Sequence, residues 1–281
     1  MNIHTIILAA GKGTRMNTNL PKVMQPLGGQ TLISHVIQTA KENSENITIV
    51  VGYKKDILKT HIANIDPNIK TADQDDQLGT AHAVKMASHL IKDDEKILIL
   101  YGDVPLISSK TIEGLINSGH ECTLLTMQLN DPTGYGRVIT NGQNLALKII
   151  EQKDASDDEL KIEEVFTGIL LIDGSLLRPA LEEIKNQNSA NEYYLTDLVE
   201  ILSGKGVKIK CIQANPAEVL GANNKHELHE LELILRKMSA EKLLEQGITL
   251  IDKTRVDVRG KVVAGKDCAI DVNVILEGDV T

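Results

Sequence analysis

The chain opens with a short apolar run that breaks into a glycine-rich segment. Residues 5–10 read T-I-I-L-A-A, and residues 11–16 read G-K-G-T-R-M. A short, continuously apolar run predicts a buried parallel strand. Glycines and cations after it place free backbone N–H groups and positive charge at the carboxyl end of a sheet, where open α/β folds bind ligands. The opening therefore predicts a polyphosphate site, with Arg15 and Lys22 as its cations.

Two common phosphate loops are excluded by the same segment. The dinucleotide fingerprint G-x-G-x-x-G requires a third glycine where Met16 stands, and the string G-x-x-x-x-G-K-[ST] occurs nowhere in the chain. The remaining alternative is a glycine-rich turn that only joins a strand to a helix. The presence of Arg15 and Lys22 on one loop favours the phosphate site over that alternative.

The composition limits the partners of this chain. Only 2% of its 281 residues are aromatic, and its net charge is −9. Surfaces that bind nucleic acid carry positive charge and stacking aromatics, so we expect no nucleic-acid partner. The three cysteines are far apart and form no C-x-x-C motif, which favours reduced thiols and a cytoplasmic location. No apolar run approaches the ~18 residues of a membrane span, so we expect no membrane partner.

Strand and helix patterns alternate over most of the chain. Strands are predicted at residues 5–10, 47–51, 97–101, 123–129, 145–150, 167–172 and 207–212. Amphipathic helices are predicted at 32–42, 79–91, 110–117, 176–185 and 196–202, and an exposed loop at 154–164. This alternation predicts an α/β fold with a Rossmann-like, mostly parallel sheet that helices cover on both faces.

The pattern changes after residue 223. A long helix is predicted at 225–246; it is either a rigid arm between two domains or a terminal helix packed on the sheet. Small or apolar residues stand six apart at 256, 262, 268, 274 and 280, which is typical of a hexapeptide β-helix. We therefore expect one domain at 1–223, a linker helix at 224–249 and the first turns of a β-helix at 250–281. The repeat is still running at Thr281, which predicts a truncated form of a longer protein.

Three further motifs carry candidate site residues. Q-L-G-T at 77–80 places Gly79 and Thr80 at a helix start, where they either contact a ligand or only cap the helix. We expect His82, in the same helix, to serve packing. Y-G-D-V-P at 101–105 places Asp103 at the end of a strand, where it either holds Mg²⁺ beside phosphates or bonds to a turn. Asn223, in G-A-N-N at 221–224, offers an amide oxygen to a hard cation or a sugar.

The order of these motifs resembles that in the nucleotidyltransferase half of the bacterial bifunctional N-acetylglucosamine-1-phosphate uridyltransferase/glucosamine-1-phosphate acetyltransferases. The motifs are L-A-A-G-K-G-T-R-M, P-K, Q-L-G-T, Y-G-D-V-P-L, D-P-T-G-Y-G-R, E-Y-Y-L-T-D and G-x-N-N. The resemblance covers essentially the whole chain and implies that the β-helix is left-handed. In this family the β-helix carries acetyl transfer and a trimer interface. We expect no acetyl transfer from the few turns present here, and a homotrimer for a full-length form.

The resemblance implies that UTP and N-acetylglucosamine 1-phosphate react to UDP-N-acetylglucosamine, a cell-wall precursor, and pyrophosphate. It implies Arg15, Lys22 and Asp103 as catalytic residues, and Mg²⁺ held by Asp103 and Asn223. The implied substrate-binding residues are Leu8, Ala9, Ala10, Gly11, Lys22, Gln74, Gly79, Thr80, Tyr101, Gly102, Asp103, Gly136, Glu151 and Asn223. Two alternatives stay open: a sugar-1-phosphate nucleotidyltransferase for another base or sugar, and a nucleotide-sugar-binding scaffold without catalysis.

One position departs from the family pattern. The family's E-[IV]-N-[TS]-G reads E-V-F-T-G at residues 164–168, so Phe166 stands where an asparagine contacts the sugar. A phenyl ring neither donates nor accepts a conventional hydrogen bond, so we expect weaker binding of the sugar phosphate. Phe166→Asn is then expected to strengthen that binding and to leave UTP binding unaffected.

Overall fold

The structure, a computed structural model, describes residues 2–281 as strands that alternate with helices. The first part of the chain contains β1 (Ile3–Ala9), β2 (Pro26–Leu27), β3 (Gln30–Thr31), α1 (Leu32–Asn43), β4 (Asn46–Val51), α2 (Lys55–Ile65), β5 (Lys70–Asp73), α3 (Thr80–Met86), β6 (Lys96–Tyr101), α4 (Ser109–Ile116) and β7 (Cys122–Gln128). The second part contains β8 (Arg137–Thr140), β9 (Leu145–Ile150), β10 (Glu164–Asp173), α5 (Gly174–Glu183), α6 (Asp197–Gly204), β11 (Ile209–Gln213), α7 (Pro216–Val219), α8 (Lys225–Glu245), β12 (Thr249–Leu250), β13 (Val256–Val262), β14 (Ala269–Ile270) and β15 (Val274–Val280). Over residues 2–281, no helix combines the length and the apolar character needed to cross a bilayer.

One nine-stranded sheet forms the centre of the fold, in the order β5-β4-β1-β6-β10-β7-β11-β9-β8. β5, β4, β1 and β6 are parallel, and so are β7 and β11. β10 is antiparallel to β6 and β7, and β9 is antiparallel to β11. The mostly parallel sheet is therefore confirmed, and the strands predicted at 145–150 and 167–172 are the two that run against it. β8 and β9 form a hairpin, which needs no crossover helix.

Two helices of the structure differ from the predicted elements. The helix predicted at 79–91 ends as α3 at Met86 and is followed by a separate 3-10 turn, Ser88–Leu90. The helix α2 was not predicted, because it buries only Leu58 and Ile62 and its other positions are largely polar. A helix with so narrow an apolar face shows little periodicity in the sequence.

Helices cover both faces of the sheet, as predicted. On one face α3, α5 and α6 pack on the strands, with Leu177 and Leu198 fully buried. On the other face α1, α2 and α4 pack on the strands, with Ile33 and Leu58 fully buried. Burial of each such side chain contributes about 1.5–3 kcal/mol, so two mainly aliphatic layers hold the sheet.

The pairing of β1 with β6 determines where these two strands end relative to each other. Leu8 lies opposite Tyr101 of β6, and the Gly102 N–H donates to the Leu8 carbonyl at 2.9 Å. A Cβ on Gly102 would lie 2.9 Å from Ile33 Cδ1 and 3.0 Å from Val23 Cγ1. Those distances are too short for close-packed carbon atoms, so a side chain at this position would disturb the packing. The segments that follow β1 and β6 therefore start side by side.

The helix α8 contacts both parts of the chain that flank it. Its 21 residues span about 30 Å. Near its start Leu231 packs with Met16 and Leu27 beside the sheet, and near its end Leu243 packs with Val256 of β13. The helix therefore packs beside the sheet at one end and on the segment around Val256 at the other, and its role as a rigid arm between two domains stays a prediction.

Beyond α8 the strands pair in parallel across successive coils. In the pair β13–β15, Val256 lies opposite Val274 and Val262 lies opposite Val280, an offset of 18 residues. The shorter strands β12 and β14 are also parallel. An offset of 18 residues corresponds to three of the six-residue repeats in each coil. The domain boundaries at residues 223 and 249 stay a prediction.

Phe166, in β10, belongs to the apolar layer under α3, α5 and α6. Its side chain is 6% exposed, and its backbone N–H donates to the Gly136 carbonyl at 2.9 Å. The preceding residue, Val165, is buried in the layer on the opposite face. The ring of Phe166 therefore fills space in the core, which differs from the exposed, sugar-facing position expected from the motif.

We predict that Phe166→Asn lowers the free energy of unfolding by about 4 kcal/mol, because it removes a large buried ring and buries an amide. The matched variant Phe166→Leu keeps an apolar side chain and should lose only about 1 kcal/mol. Urea denaturation of both variants measures these losses. A Phe166→Asn variant that is as stable as the wild type and binds sugar phosphate more tightly would contradict the core position of this ring.

Candidate functional site

A cavity of about 450 Å³ lies where β1 and β6 end. The segments after β1, β5 and β6 and the start of α3 form most of its wall. The lining residues are Leu8, Ala9, Ala10, Gly11, Lys22, Val23, Gln74, Gln77, Gly79, Thr80, Ala83, Tyr101, Asp103, Glu192 and Asn223. The structure therefore brings together every predicted site residue except Arg15, Gly102, Gly136 and Glu151.

Lys22 joins the two predicted metal ligands on this wall. Its ammonium group forms an ion pair with Asp103 Oδ2 and donates to Asn223 Oδ1 at 3.1 Å. The side chains of Lys22 and Asp103 are only 17% and 14% exposed. A carboxylate oxygen and an amide oxygen thus converge on one cation, in a place where water screens the charges only in part.

Asn223 is held in one orientation by the start of α8. Glu227 Oε2 accepts from the backbone N–H of Asn223 at 2.7 Å and from its Nδ2 at 3.0 Å. The side chain of Asn224 caps α8 by accepting from the backbone N–H of Glu227 at 3.0 Å. A carboxylate only accepts hydrogen bonds, so Nδ2 must face Glu227 and Oδ1 must face Lys22.

The converging oxygens suit a hard divalent cation. Mg²⁺ prefers oxygen ligands and usually takes one or two from the protein, while phosphates and water supply the rest. Asp103 and Asn223 offer such a pair at a point that already attracts the Lys22 ammonium. Within residues 2–281, no three side chains of His, Cys, Asp or Glu are grouped to hold a metal ion by themselves. The donor set therefore fits a cation that is shared with a phosphate ligand.

Another part of the wall is built where two distant segments meet. The Tyr193 N–H donates to the Leu78 carbonyl at 2.8 Å, and the Leu195 N–H donates to Thr80 Oγ1 at 3.0 Å. Gly79 has a φ of 117°, and a Cβ there would lie 2.5 Å from the Tyr193 carbonyl oxygen. Only glycine allows this conformation and this close approach. The motif E-Y-Y-L-T-D therefore docks against the motif Q-L-G-T.

Two glutamines present their amides at this part of the wall. Gln74 is 3% exposed, and its Nε2 lies 3.0 Å from both the Gly79 carbonyl oxygen and His82 Nδ1. Gln77 Nε2 donates to the Ala10 carbonyl at 3.0 Å. His82 was expected to serve packing only, but it also contacts a residue of the cavity wall.

Tyr101 lies against an irregularity in β10. The register of β10 shifts between residues 166 and 170, and Gly168 in that stretch has a φ of 90°. A Cβ on Gly168 would lie 2.6 Å from Tyr101 Cε2, so the ring covers the glycine closely. Burial raises the pKa of the Tyr101 hydroxyl, and the charges of Glu151 and Asp103 raise it further. Tyr101 is therefore neutral near pH 7 and able to donate a hydrogen bond.

Gly136 and Glu151 lie next to each other and are not among the lining residues of this cavity. A Cβ on Gly136 would lie 3.6 Å from Glu151 Oε1, and Thr196 Oγ1 donates to that oxygen at 2.9 Å. Glu151 and Asp197 line a second cavity of about 490 Å³. Burial raises the pKa of Glu151, and burial together with the charge of Glu200 raises the pKa of Asp197 to about 6.

Arg15 and Gly102 also lie off the cavity lining. Arg15 is exposed in a 3-10 turn, Thr14–Met16, that is anchored by the fully buried Met16. Among residues 2–281, no carboxylate oxygen forms an ion pair with the Arg15 guanidinium within 4.0 Å. Gly102 is buried behind the wall, where its lack of a side chain allows close packing. Gly102 therefore contributes to the packing and position of the strands.

Several residues of this site were missed by reasoning from the sequence. Val23, Gln77, Ala83 and Glu192 line the cavity, and Glu227 orients Asn223. The spacing from Asn224 to Glu227 is that of a capping box, which was a usable signal. Gln77 and Glu192 lie inside motifs that were recognised, whereas nothing in the sequence distinguishes Val23 or Ala83 from other small apolar residues.

Comparison with known proteins agrees with this geometry. The MobA-like NTP transferase domain matches residues 5–194. The bifunctional protein GlmU of Idiomarina loihiensis (strain ATCC BAA-735 / DSM 15497 / L2-TR) is 44% identical over 284 residues, which cover 100% of this chain and 62% of that protein. This chain thus spans less than two thirds of the length of that relative.

A solved structure supports the same fold. The crystal structure of a candidate glucose-1-phosphate thymidylyltransferase from Bacillus anthracis, in complex with a sucrose, has a TM-score of 0.63. The match covers 82% of this chain and 94% of that chain, and at 20% identity it indicates similarity of fold alone. Because the domain match extends over most of the sheet and most of the cavity wall, the chain belongs to the family of MobA-like NTP transferase domains.

Proposed function

We propose that the chain transfers a uridylyl group from UTP to N-acetylglucosamine 1-phosphate, which yields UDP-N-acetylglucosamine and pyrophosphate. The convergence of Lys22, Asp103 and Asn223 at the cavity carries this proposal. Such a group of a cation and two hard oxygens suits a polyphosphate bound with a divalent metal ion. The motifs shared with uridyltransferases and the 44% identity to the GlmU protein support the choice of substrates.

The nucleoside of UTP is assigned to the wall around α3. Gln74, Gly79 and Thr80 contact the uracil base there, and the backbone of residues 8–11 cradles the ribose and the first phosphate. Tyr101 lines the ribose side, where its neutral hydroxyl is available as a donor, and Gly102 supports this wall from behind. The fixed backbone of Gly79, docked against Tyr193, supports a rigid base pocket.

Lys22 and Arg15 are assigned to the triphosphate. A chain with a net charge of −9 needs local cations to hold a polyanion. The oxygens of Asp103 and Asn223 hold the Lys22 ammonium in this structure, and they cannot bind a metal ion at the same point. With Asp103 and Asn223 holding a divalent cation, Lys22 would contact phosphate oxygens, and the exposed Arg15 would approach them from the loop after β1.

Asp103 and Asn223 would hold Mg²⁺. When bound, a divalent cation offsets the charge of the phosphate oxygens and favours the departure of pyrophosphate. Glu227 supports this role by keeping the Asn223 amide oxygen turned toward the point of convergence. Glu227 is thus a positioning residue that touches neither substrate.

The reaction itself needs no nucleophile from the protein. An oxygen of the sugar phosphate forms a bond to the α-phosphorus of UTP as the bond from that phosphorus to the leaving pyrophosphate breaks. Because the attacking oxygen is already anionic, no general base is required. The work of the chain is to align the two phosphates and to offset their charge, which explains a site made of glycines, cations and oxygen ligands.

The sugar is assigned to the region of Gly136 and Glu151. Glu151 is connected to the cavity wall through Thr196, because the adjacent residue, Leu195, donates its N–H to Thr80 at 3.0 Å. Thr196 holds one oxygen of Glu151, and the other is available to a sugar hydroxyl. Gly136 lies close beside this carboxylate, and a Cβ there would lie only 2.9 Å from Ile149 Cγ2, so a side chain would disturb this packing.

The coils after α8 are assigned as the first turns of a left-handed β-helix. The 18-residue offset between β13 and β15 supports coils of three six-residue repeats. A full-length form would then be a homotrimer, as the resemblance implies. The free cysteines Cys122, Cys211 and Cys268 fit a cytoplasmic location for this chain.

Release of pyrophosphate tests the proposed reaction. We expect release from UTP and N-acetylglucosamine 1-phosphate in the presence of Mg²⁺, and none after chelation with EDTA. In Asp103→Asn a neutral amide replaces the charged ligand, so the Mg²⁺ concentration for half-maximal rate should rise at least about tenfold. Circular dichroism should show the same secondary structure in both proteins. An unchanged Mg²⁺ requirement in Asp103→Asn would remove this residue from the metal site.

A panel of substrates separates the alternatives. A higher kcat/KM with another nucleoside triphosphate or another sugar 1-phosphate would replace the substrates proposed here. Tight binding of UTP without release of pyrophosphate under any condition would instead identify a nucleotide-sugar-binding scaffold. Isothermal titration with UTP and the release assay, run on one preparation, distinguish these two outcomes.

Lys22→Ala and Arg15→Ala should each lower kcat/KM by about 100-fold or more, because preorganised charge at the transferring phosphoryl group is usually the largest catalytic contribution. Lys161→Ala removes the same charge from an exposed turn outside the cavity and should leave kcat/KM unchanged. Steady-state kinetics measure all three variants. A normal kcat/KM in Arg15→Ala would show that Arg15 stays exposed during turnover.

A further inference from the structure

The amide of Gln74 can adopt only one orientation. Gln74 follows β5 and lines the cavity with a side chain that is 3% exposed. Its Nε2 lies 3.0 Å from the Gly79 carbonyl oxygen, which also accepts from the Ala83 N–H at 3.1 Å. A carbonyl oxygen only accepts hydrogen bonds, so the atom of Gln74 that faces it must be the NH₂ group. This assignment follows from the chemistry of the partner.

His82 takes up the second hydrogen of the same NH₂ group. Its Nδ1 lies 3.0 Å from Gln74 Nε2 and must accept, which requires the tautomer with the hydrogen on Nε2. The His82 ring is half-buried and lies beside Tyr193, with the ring centroids 6.4 Å apart. Both donors of the Gln74 amide are then used, and the carbonyl oxygen Oε1 is the atom left for a ligand in the cavity.

We propose that His82 is a positioning residue that selects the base of the nucleotide, because it keeps the Gln74 carbonyl oxygen turned toward the ligand. This inference rests on the proposed function, in which the cavity holds a pyrimidine nucleotide. Uracil carries a hydrogen on N3 that this oxygen can accept. Cytosine carries a lone pair at N3, which would face the same oxygen and leave both acceptors without a donor.

Loss of His82 weakens this selection without removing it. The Gly79 carbonyl still favours the observed orientation, but one N–H of a buried amide then lacks an acceptor. The flipped orientation, with the NH₂ group toward the base, becomes less unfavourable, and in it the amide would donate to cytosine N3. An unsatisfied buried donor changes the equilibrium between the two orientations of the Gln74 amide by about tenfold or more. His82 therefore changes the ratio of the affinities for UTP and CTP, whereas a purely structural role would change both affinities alike.

Equilibrium binding of UTP and CTP to the intact chain tests the inference. We expect the wild type to prefer UTP, and His82→Phe, which offers no acceptor, to lower the ratio of the two affinities by about tenfold. His82→Asn has an amide oxygen that can accept from Gln74, so it should restore the ratio to within about threefold of the wild type. UTP methylated at N3 lacks the hydrogen that is read and should bind to the wild type as weakly as CTP.

The outcomes separate this inference from the proposed function. An unchanged ratio of the UTP and CTP affinities in His82→Phe, whether or not both are weakened, would overturn the role of His82 and leave the proposed reaction standing. A wild type that binds both pyrimidine nucleotides equally would overturn it as well. A wild type that prefers UTP, loses this preference in His82→Phe and yet releases no pyrophosphate would overturn the proposed reaction and support the role of His82.

Discussion

The pairing of β1 with β6 is the constraint on which the whole site depends. Because Leu8 lies opposite Tyr101, the glycine-rich loop and the segment with Asp103 begin at the same level of the sheet. The bond from the Gly102 N–H to the Leu8 carbonyl extends this register beyond the strand. A slip of one residue would turn every side chain of β6 to the other face. The position of Asp103 relative to Lys22 thus follows from backbone pairing between strands that are buried on both faces.

The rest of the site is brought in by segments that are distant in the sequence. The start of α8 supplies Asn223, and the end of the same helix packs on the coils around Val256. The segment around Tyr193 closes the wall near Gly79 through backbone hydrogen bonds. Since backbone groups make these contacts, they tolerate changes of side chain except where a Cβ would collide. This explains why the motif Q-L-G-T has a glycine, Gly79, at its closest approach to Tyr193.

Features that extend over several residues could be predicted from the sequence, and features that depend on one contact could not. The strands at 47–51 and 97–101 are continuous apolar runs, and the structure extends each by a single residue. The same kind of run at 167–172 does not reveal direction, because a buried strand has the same pattern in parallel and antiparallel pairing. Motif alignment placed Phe166 near a sugar, but the face of β10 on which a side chain lies depends on its bulge. The role of His82 needed coordinates, since its contact with Gln74 leaves no pattern in the sequence, whereas the capping-box spacing pointed to Glu227 but not to its contact with Asn223.

Two side-chain amides at this cavity are oriented by the same physical device. Asn223 has its NH₂ group fixed by a carboxylate of Glu227, and Gln74 has its NH₂ group fixed by the Gly79 carbonyl and His82. In each case a group that only accepts hydrogen bonds faces the nitrogen. The amide oxygen of Asn223 must therefore face Lys22, and that of Gln74 must face the cavity. A reaction that needs no protein nucleophile depends on the placement of charges and dipoles before substrate arrives. An amide free to rotate would present donor and acceptor in turn, so it would hold a cation less firmly and would not discriminate one base from another. The groups behind the amides therefore contribute to selectivity as directly as the residues that touch the ligand.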